Sequence, residues 1–173
     1  MTLKKFVVIP LIIAALAFTI QIVDQLLSPC MPPAGNFGFG WIAFQAWAVY
    51  FLGGCNLKGG IKSLFGYAIG ISGSMLIMTM GGWFASLQFF AIPLAVAIVA
   101  CILIFFERMT WWLSFIPAMF IGAGAFFAFM SYVPGATFAN AAITELTYCV
   151  IGLTYGFVTI VLRTAYEKKV KSS

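Results

Sequence analysis

NFGFGWIAFQAWAVYFLGG, residues 36–54, decides the reading of this chain: it is apolar over the length of a bilayer span, dense in aromatic rings, and carries a lone amide, Gln45. A spanning helix needs about 20 mostly apolar residues. Its companion is TWWLSFIPAMFIGAGAFFAF, residues 110–129. Each sets a Trp three residues before a Phe, Trp41 with Phe44 and Trp112 with Phe115, and each runs into small residues, Gly53 and Gly54 in one, Gly122, Ala123 and Gly124 in the other. The two read as central helices of related halves.

Working outward, the composition permits nothing but a membrane protein. The 173 residues are 64% hydrophobic and 8% charged, against roughly 25% charged in an ordinary soluble domain. The net charge of +5 is a topology signal, because the basic residues lie in short patches beside apolar runs. Nucleic acid is set aside as a partner, and the lipid bilayer takes its place. Cys30, Cys55, Cys101 and Cys149 are scattered without CxxC spacing and there is no His, so no metal site and no cofactor are expected. The absence of a GxSxG elbow or a phosphate-binding glycine loop argues against an enzyme.

The apolar runs predict an all-α membrane protein with six transmembrane helices, near residues 6–27, 36–54, 63–80, 87–106, 110–129 and 141–162, forming a single domain over 1–173. A basic cytoplasmic tail, 163–173, follows. Lys4 and Lys5 precede the first run as in a signal peptide, but the run is too long for one and is expected to be a retained helix. Pro117 is expected to kink the fifth span. Gly66, Gly70, Gly73 and Ser74 give the third span a small-residue stripe for close helix packing, with Gly122 contributing from the fifth; such stripes would also suit a homo-oligomer.

All nine Lys and Arg residues fall at the N-terminus, between spans two and three, between spans four and five, or at the C-terminus. Since basic residues accumulate in cytoplasmic loops, both termini are expected to be cytoplasmic. Ile-Pro-Leu recurs at Ile9 and Ile92, Trp-x-x-Phe at Trp41 and Trp112, and an aromatic followed by Gly at Tyr67 and Tyr148. Three spans per half predict two inverted three-helix repeats, a device of transporters with a midplane path.

Two ionisable groups fall within spans, Asp24 and Glu145. They read either as an acidic outer mouth that gathers cations or as interfacial carboxylates wetted by headgroup water. Gln45, halfway along the second span, reads as a buried amide serving as helix–helix glue or lining a path. Phe44, Trp47, Phe115 and Phe120 are the deeper rings, which fit a dry constriction or plain core packing, and Phe44 and Phe115 occupy equivalent repeat positions.

GWIAFQAWAVYFLGG followed by Leu57-Lys58-Gly59-Gly60, and Leu113-Ser114-Phe115-Ile116-Pro117 leading into Phe120-Ile121-Gly122-Ala123, resemble a family of small bacterial inner-membrane proteins classed only as a domain of unknown function (DUF1097-like). The resemblance covers most of the chain, and its sharpest piece is the Leu-Ser-Phe-x-Pro run. It implies the bacterial plasma membrane and no established activity. Three functions stay open: a channel for a small uncharged or weakly polar solute, a cation- or proton-coupled transporter using Asp24 or Glu145, and a non-transporting accessory protein.

Overall fold

The computed structural model describes residues 3–172, the side chain of Lys4 excepted. Among the described residues there are seven α-helices and no strand: α1 Leu3–Phe6, α2 Val8–Leu27, α3 Gly40–Leu52, α4 Leu57–Trp83, α5 Ala91–Phe105, α6 Ile116–Tyr132 and α7 Phe138–Lys171. Four stretches, Val8–Cys30, Leu57–Trp83, Ala85–Arg108 and Phe138–Lys171, are long and apolar enough to cross a membrane, and α3 and α6 are shorter apolar helices.

Local chemistry sets these boundaries. The third span, expected from residue 63, starts six residues earlier as α4, because the Asn56 side chain accepts the Gly59 N–H at 2.9 Å and caps it. The turn before it needs left-handed backbone at Gly54 (φ 95°) and Cys55 (φ 58°). Thr137 caps α7 by accepting the Asn140 N–H at 3.2 Å. Pro117 does not kink a helix: α6 starts at Ile116, and the proline lies in the first turn, where its missing N–H removes no intrahelical bond. The expected basic tail, residues 163–173, continues α7 as helix to Lys171. An Arg163–Glu167 pair at 2.9 Å supports it, and Lys168, Lys169 and Lys171 complement the negative end of the helix dipole.

The helices α4 and α7 pack on each other at the centre, and each carries one parallel and one antiparallel neighbour. Parallel pairing brings Gly152 against the Ala43 carbonyl and Gly156 against Tyr50 where α3 meets α7. Where α6 meets α4 it brings Gly66 against Ala118 and Gly70 against the Met119 carbonyl. A Cβ at Gly70 or Gly152 would overlap those carbonyl oxygens, so hydrogen as side chain lets the backbones meet. Antiparallel α5 lies on α4 with Leu103 beside Gly73 and Ile92 beside Gly81. Antiparallel α2 lies on α7, joined by Tyr155 to Thr19 and by Tyr166, whose hydroxyl donates to the Lys5 carbonyl. The first and last helices therefore share one end of the bundle. The same end holds Lys58 and Lys62, whose ammonium groups sit 5.8 Å and 5.5 Å from the ring centres of Trp111 and Phe115.

Candidate functional site

At the opposite end, residues 28–39 fold over the bundle rather than projecting from it. Asn36 organises this loop: its amide nitrogen donates to the carbonyls of Ser28 (2.9 Å), Met31 (2.8 Å) and Pro33 (3.0 Å), and its oxygen accepts the Gly38 N–H at 2.8 Å. Thr144 of α7 pins the loop from below through the Pro32 carbonyl at 2.8 Å.

Beneath the loop lies Asp24, on the last turn of α2 and only 8% exposed. Its Oδ1 accepts the Phe39 N–H at 2.9 Å and the Tyr148 hydroxyl at 2.6 Å. The carboxylate thus sits at the start of α3, where unsatisfied N–H groups and the helix dipole favour negative charge. Gly38 and Gly40 make room for it, since a Cβ at either would come within 2.5 Å and 2.9 Å of Oδ2. Gly38 also needs its φ of 96°. Asp24 is therefore a capping group supplied by one helix to a second and tied to a third. The expected wetted carboxylate or open mouth is replaced by a buried, bonded one.

Glu145 lies one turn before Tyr148 on the same side of α7 and is fully buried. Neither of its carboxyl oxygens has a hydrogen-bond partner among the described residues. It is seven residues into α7, about 10 Å along the axis at 1.5 Å per residue. The Tyr67 hydroxyl of α4 and the Cys149 thiol lie within its electrostatic reach. The Tyr67 hydroxyl and the Trp47 indole N–H are likewise buried without hydrogen-bond partners among the described residues. Most buried polar groups are bonded, so a fully buried carboxyl with two free oxygens is the chemical anomaly of this bundle. As with Asp24, the structure replaces the surface position expected for Glu145 with an interior one.

The rings and the amide expected to line a path do not converge. Gln45 is exposed on the outer surface of α3, not buried, because α3 turns Ala43, Ala46 and Tyr50 inward against α7. Phe44 is on the same outer surface and stacks on Trp47 at 5.9 Å, while Trp47 is buried and meets Tyr155 at 5.7 Å. Phe115 is half-buried at the N-cap of α6. Phe120 is exposed and lines an apolar cleft of about 230 Å³ with Ile77, Val96 and Phe127. Gly66, Gly70 and Gly122 lie between α4 and α6, and Gly73 faces α5. Phe44 lies within α3, whereas Phe115 precedes α6 as its N-cap. Phe39 and Phe115 are the N-caps, and the carbonyls that receive the close glycines belong to residues four further on, Ala43 and Met119.

Tyr148, Asn36 and the Gly38–Gly40 pair were not singled out as site residues from the sequence. The signals for them were the Glu-x-x-Tyr spacing, which puts Glu145 and Tyr148 on one helix face, and a Gly-Phe-Gly run directly before an apolar helix.

An all-helical bundle with four membrane-length apolar stretches and a buried carboxyl defines a polytopic membrane protein. The chain belongs to the family described as protein of unknown function (DUF1097), whose profile matches residues 11–163. No curated protein and no solved structure matches it.

Proposed function

We propose that this protein is a proton-coupled carrier of a small solute in the bacterial inner membrane, with Glu145 as the group that takes up and releases the proton. The observation that carries this reading is the pair of unpartnered Glu145 oxygens in the bundle interior. A charge inside a spanning helix costs up to about 3 kcal/mol at the helix centre even on the mildest scale, and such groups mark ion and proton pathways. A hard cation takes about six or more oxygen ligands, whereas one carboxyl suffices for a proton. The reading includes six spans, with α3 and α6 as the short second and fifth, and both termini cytoplasmic, as the basic residues imply.

It also includes two inverted halves, α2–α4 and α5–α7. Exchanging them turns the antiparallel α2–α7 pair into α5–α4 and the parallel α3–α7 pair into α6–α4, and maps the Ala43–Gly152 contact onto Met119–Gly70. Glu145 would then sit where the halves meet, the usual place for a coupling site. A passive route beside Gln45 would run along the outside of α3, which makes a channel through one chain the weaker reading.

The test is uptake into liposomes of small amides, alcohols, aldehydes, amines and short acids, with and without an inward proton gradient. A carrier accumulates one of these classes with the gradient, and Glu145→Gln removes the accumulation while leaving the folded protein. Gradient-independent flux that survives Glu145→Gln would establish a channel instead. No flux of any class, with the variant as stable as the parent, would favour an accessory protein.

A further inference from the structure

One face of α4 changes character along its length. Lys58 and Lys62 stand at the basic end, and Phe65, Ile69, Gly73 and Leu76 follow at three- and four-residue steps, so all six share one helical face. The apolar part of that face forms one wall of a groove of about 380 Å³, and α5 supplies the other through Val99, Ile102 and Leu103. From Phe65 to Leu76 is eleven residues, roughly 16 Å of helix, close to the ~15 Å of one leaflet in a ~30 Å hydrocarbon core. Neither lysine makes a salt bridge among the described residues. Both ammonium groups are instead held over the rings of Trp111 and Phe115, which fixes them at the mouth of the groove without neutralising them.

We infer that the α4–α5 groove binds an anionic phospholipid, with an acyl chain along Ile69 and Leu76 and the headgroup phosphate on Lys58 and Lys62. An apolar slot one leaflet deep fits a lipid chain, and two uncompensated positive charges at its rim select phosphatidylglycerol or cardiolipin over zwitterionic lipids. This inference stands apart from transport: a protein that carries nothing would hold the same lipid.

The experiment is native mass spectrometry of the full chain released from detergent supplemented with equal amounts of phosphatidylglycerol and phosphatidylcholine. Each basic residue near a membrane surface is worth roughly fivefold in binding an anionic lipid, so the pair predicts a preference on the order of 30-fold. Lys58→Gln with Lys62→Gln should bring that ratio close to one, whereas Lys168→Gln with Lys169→Gln on the exposed end of α7 should leave it nearly unchanged. Ser72→Trp, placed at an exposed position in the groove wall, should lower retention of both lipids with the lysines intact. Equal retention of the two lipids by the parent protein would overturn the inference. So would an equal loss from both lysine pairs, or unchanged retention in Ser72→Trp.

Discussion

The bond between Tyr148 and Asp24 can be weighed by a double-mutant cycle of Tyr148→Phe and Asp24→Ala. The hydroxyl donates to Oδ1 at 2.6 Å, and the ring packs edge-on against Phe39 with centres 5.8 Å apart, so Phe at 148 keeps the packing and removes one bond. Interhelical hydrogen bonds in membrane proteins average about 0.6 kcal/mol in such cycles. Bonds to a carboxylate are roughly twice as strong as neutral ones, so the expected coupling is about 1.2 kcal/mol. Asp24→Ala should cost more, about 3 kcal/mol, since it strands both the Phe39 N–H and the Tyr148 hydroxyl at ~1–3 kcal/mol each. The assay is reversible unfolding of each variant from mixed micelles into sodium dodecyl sulfate, followed by tryptophan fluorescence. A coupling below about 0.3 kcal/mol, under half the average interhelical bond, would refute the view that Asp24 holds α2, α3 and α7 together.

Other substitutions test the remaining contacts. Gly70→Ala and Gly152→Ala drive a methyl into the Met119 and Ala43 carbonyls and should each cost about 2–3 kcal/mol; Gly124→Ala, with nothing within 4 Å, should gain up to about 1 kcal/mol, all read by the same unfolding curves. Glu145→Leu should stabilise the bundle by roughly 1–3 kcal/mol, because it removes a buried group without partners, and a loss of that size would show that the carboxyl is bonded after all. Asn36→Ala removes four loop bonds and should expose residues 28–39 to protease at concentrations that leave the parent intact. Gln45→Leu, on the outer surface of α3, should move stability by less than about 0.5 kcal/mol.

The helical class, the membrane-length runs and the two carboxyl groups worth watching were legible in the sequence, because apolar length and isolated charge are properties of one segment at a time. What was hidden depended on which way each helix faces. In a soluble protein hydrophobic periodicity would have shown that Gln45 points outward, but α3 is apolar on all sides apart from that one amide, so its hydropathy says little about its inner face. The small residues are the better guide: Ala43 and Ala46 mark where α7 approaches, and Gln45 lies off that line. The Trp-x-x-Phe match misled for a related reason. Trp41 is helical while Trp112 lies in the turn before α6, so a shared motif fell on different backbone.

Asp24 and Glu145 also show why burial alone does not separate a structural carboxyl from a working one. Both are interior, and Tyr148, one turn from Glu145, reaches Asp24. Asp24 receives a helix N-terminus, a phenol and two glycines that clear its path, so its accepting oxygen is committed to joining three helices. Neither Glu145 oxygen has a comparable partner among the described residues, and Tyr67 and Cys149, which feel its charge, offer weakly acidic groups rather than a fixed cation. A packing role would be filled better by Leu at that position. On the proton-coupled reading proposed above, the free oxygens of Glu145 among the described residues are accounted for by a carboxyl that changes state during the protein's work.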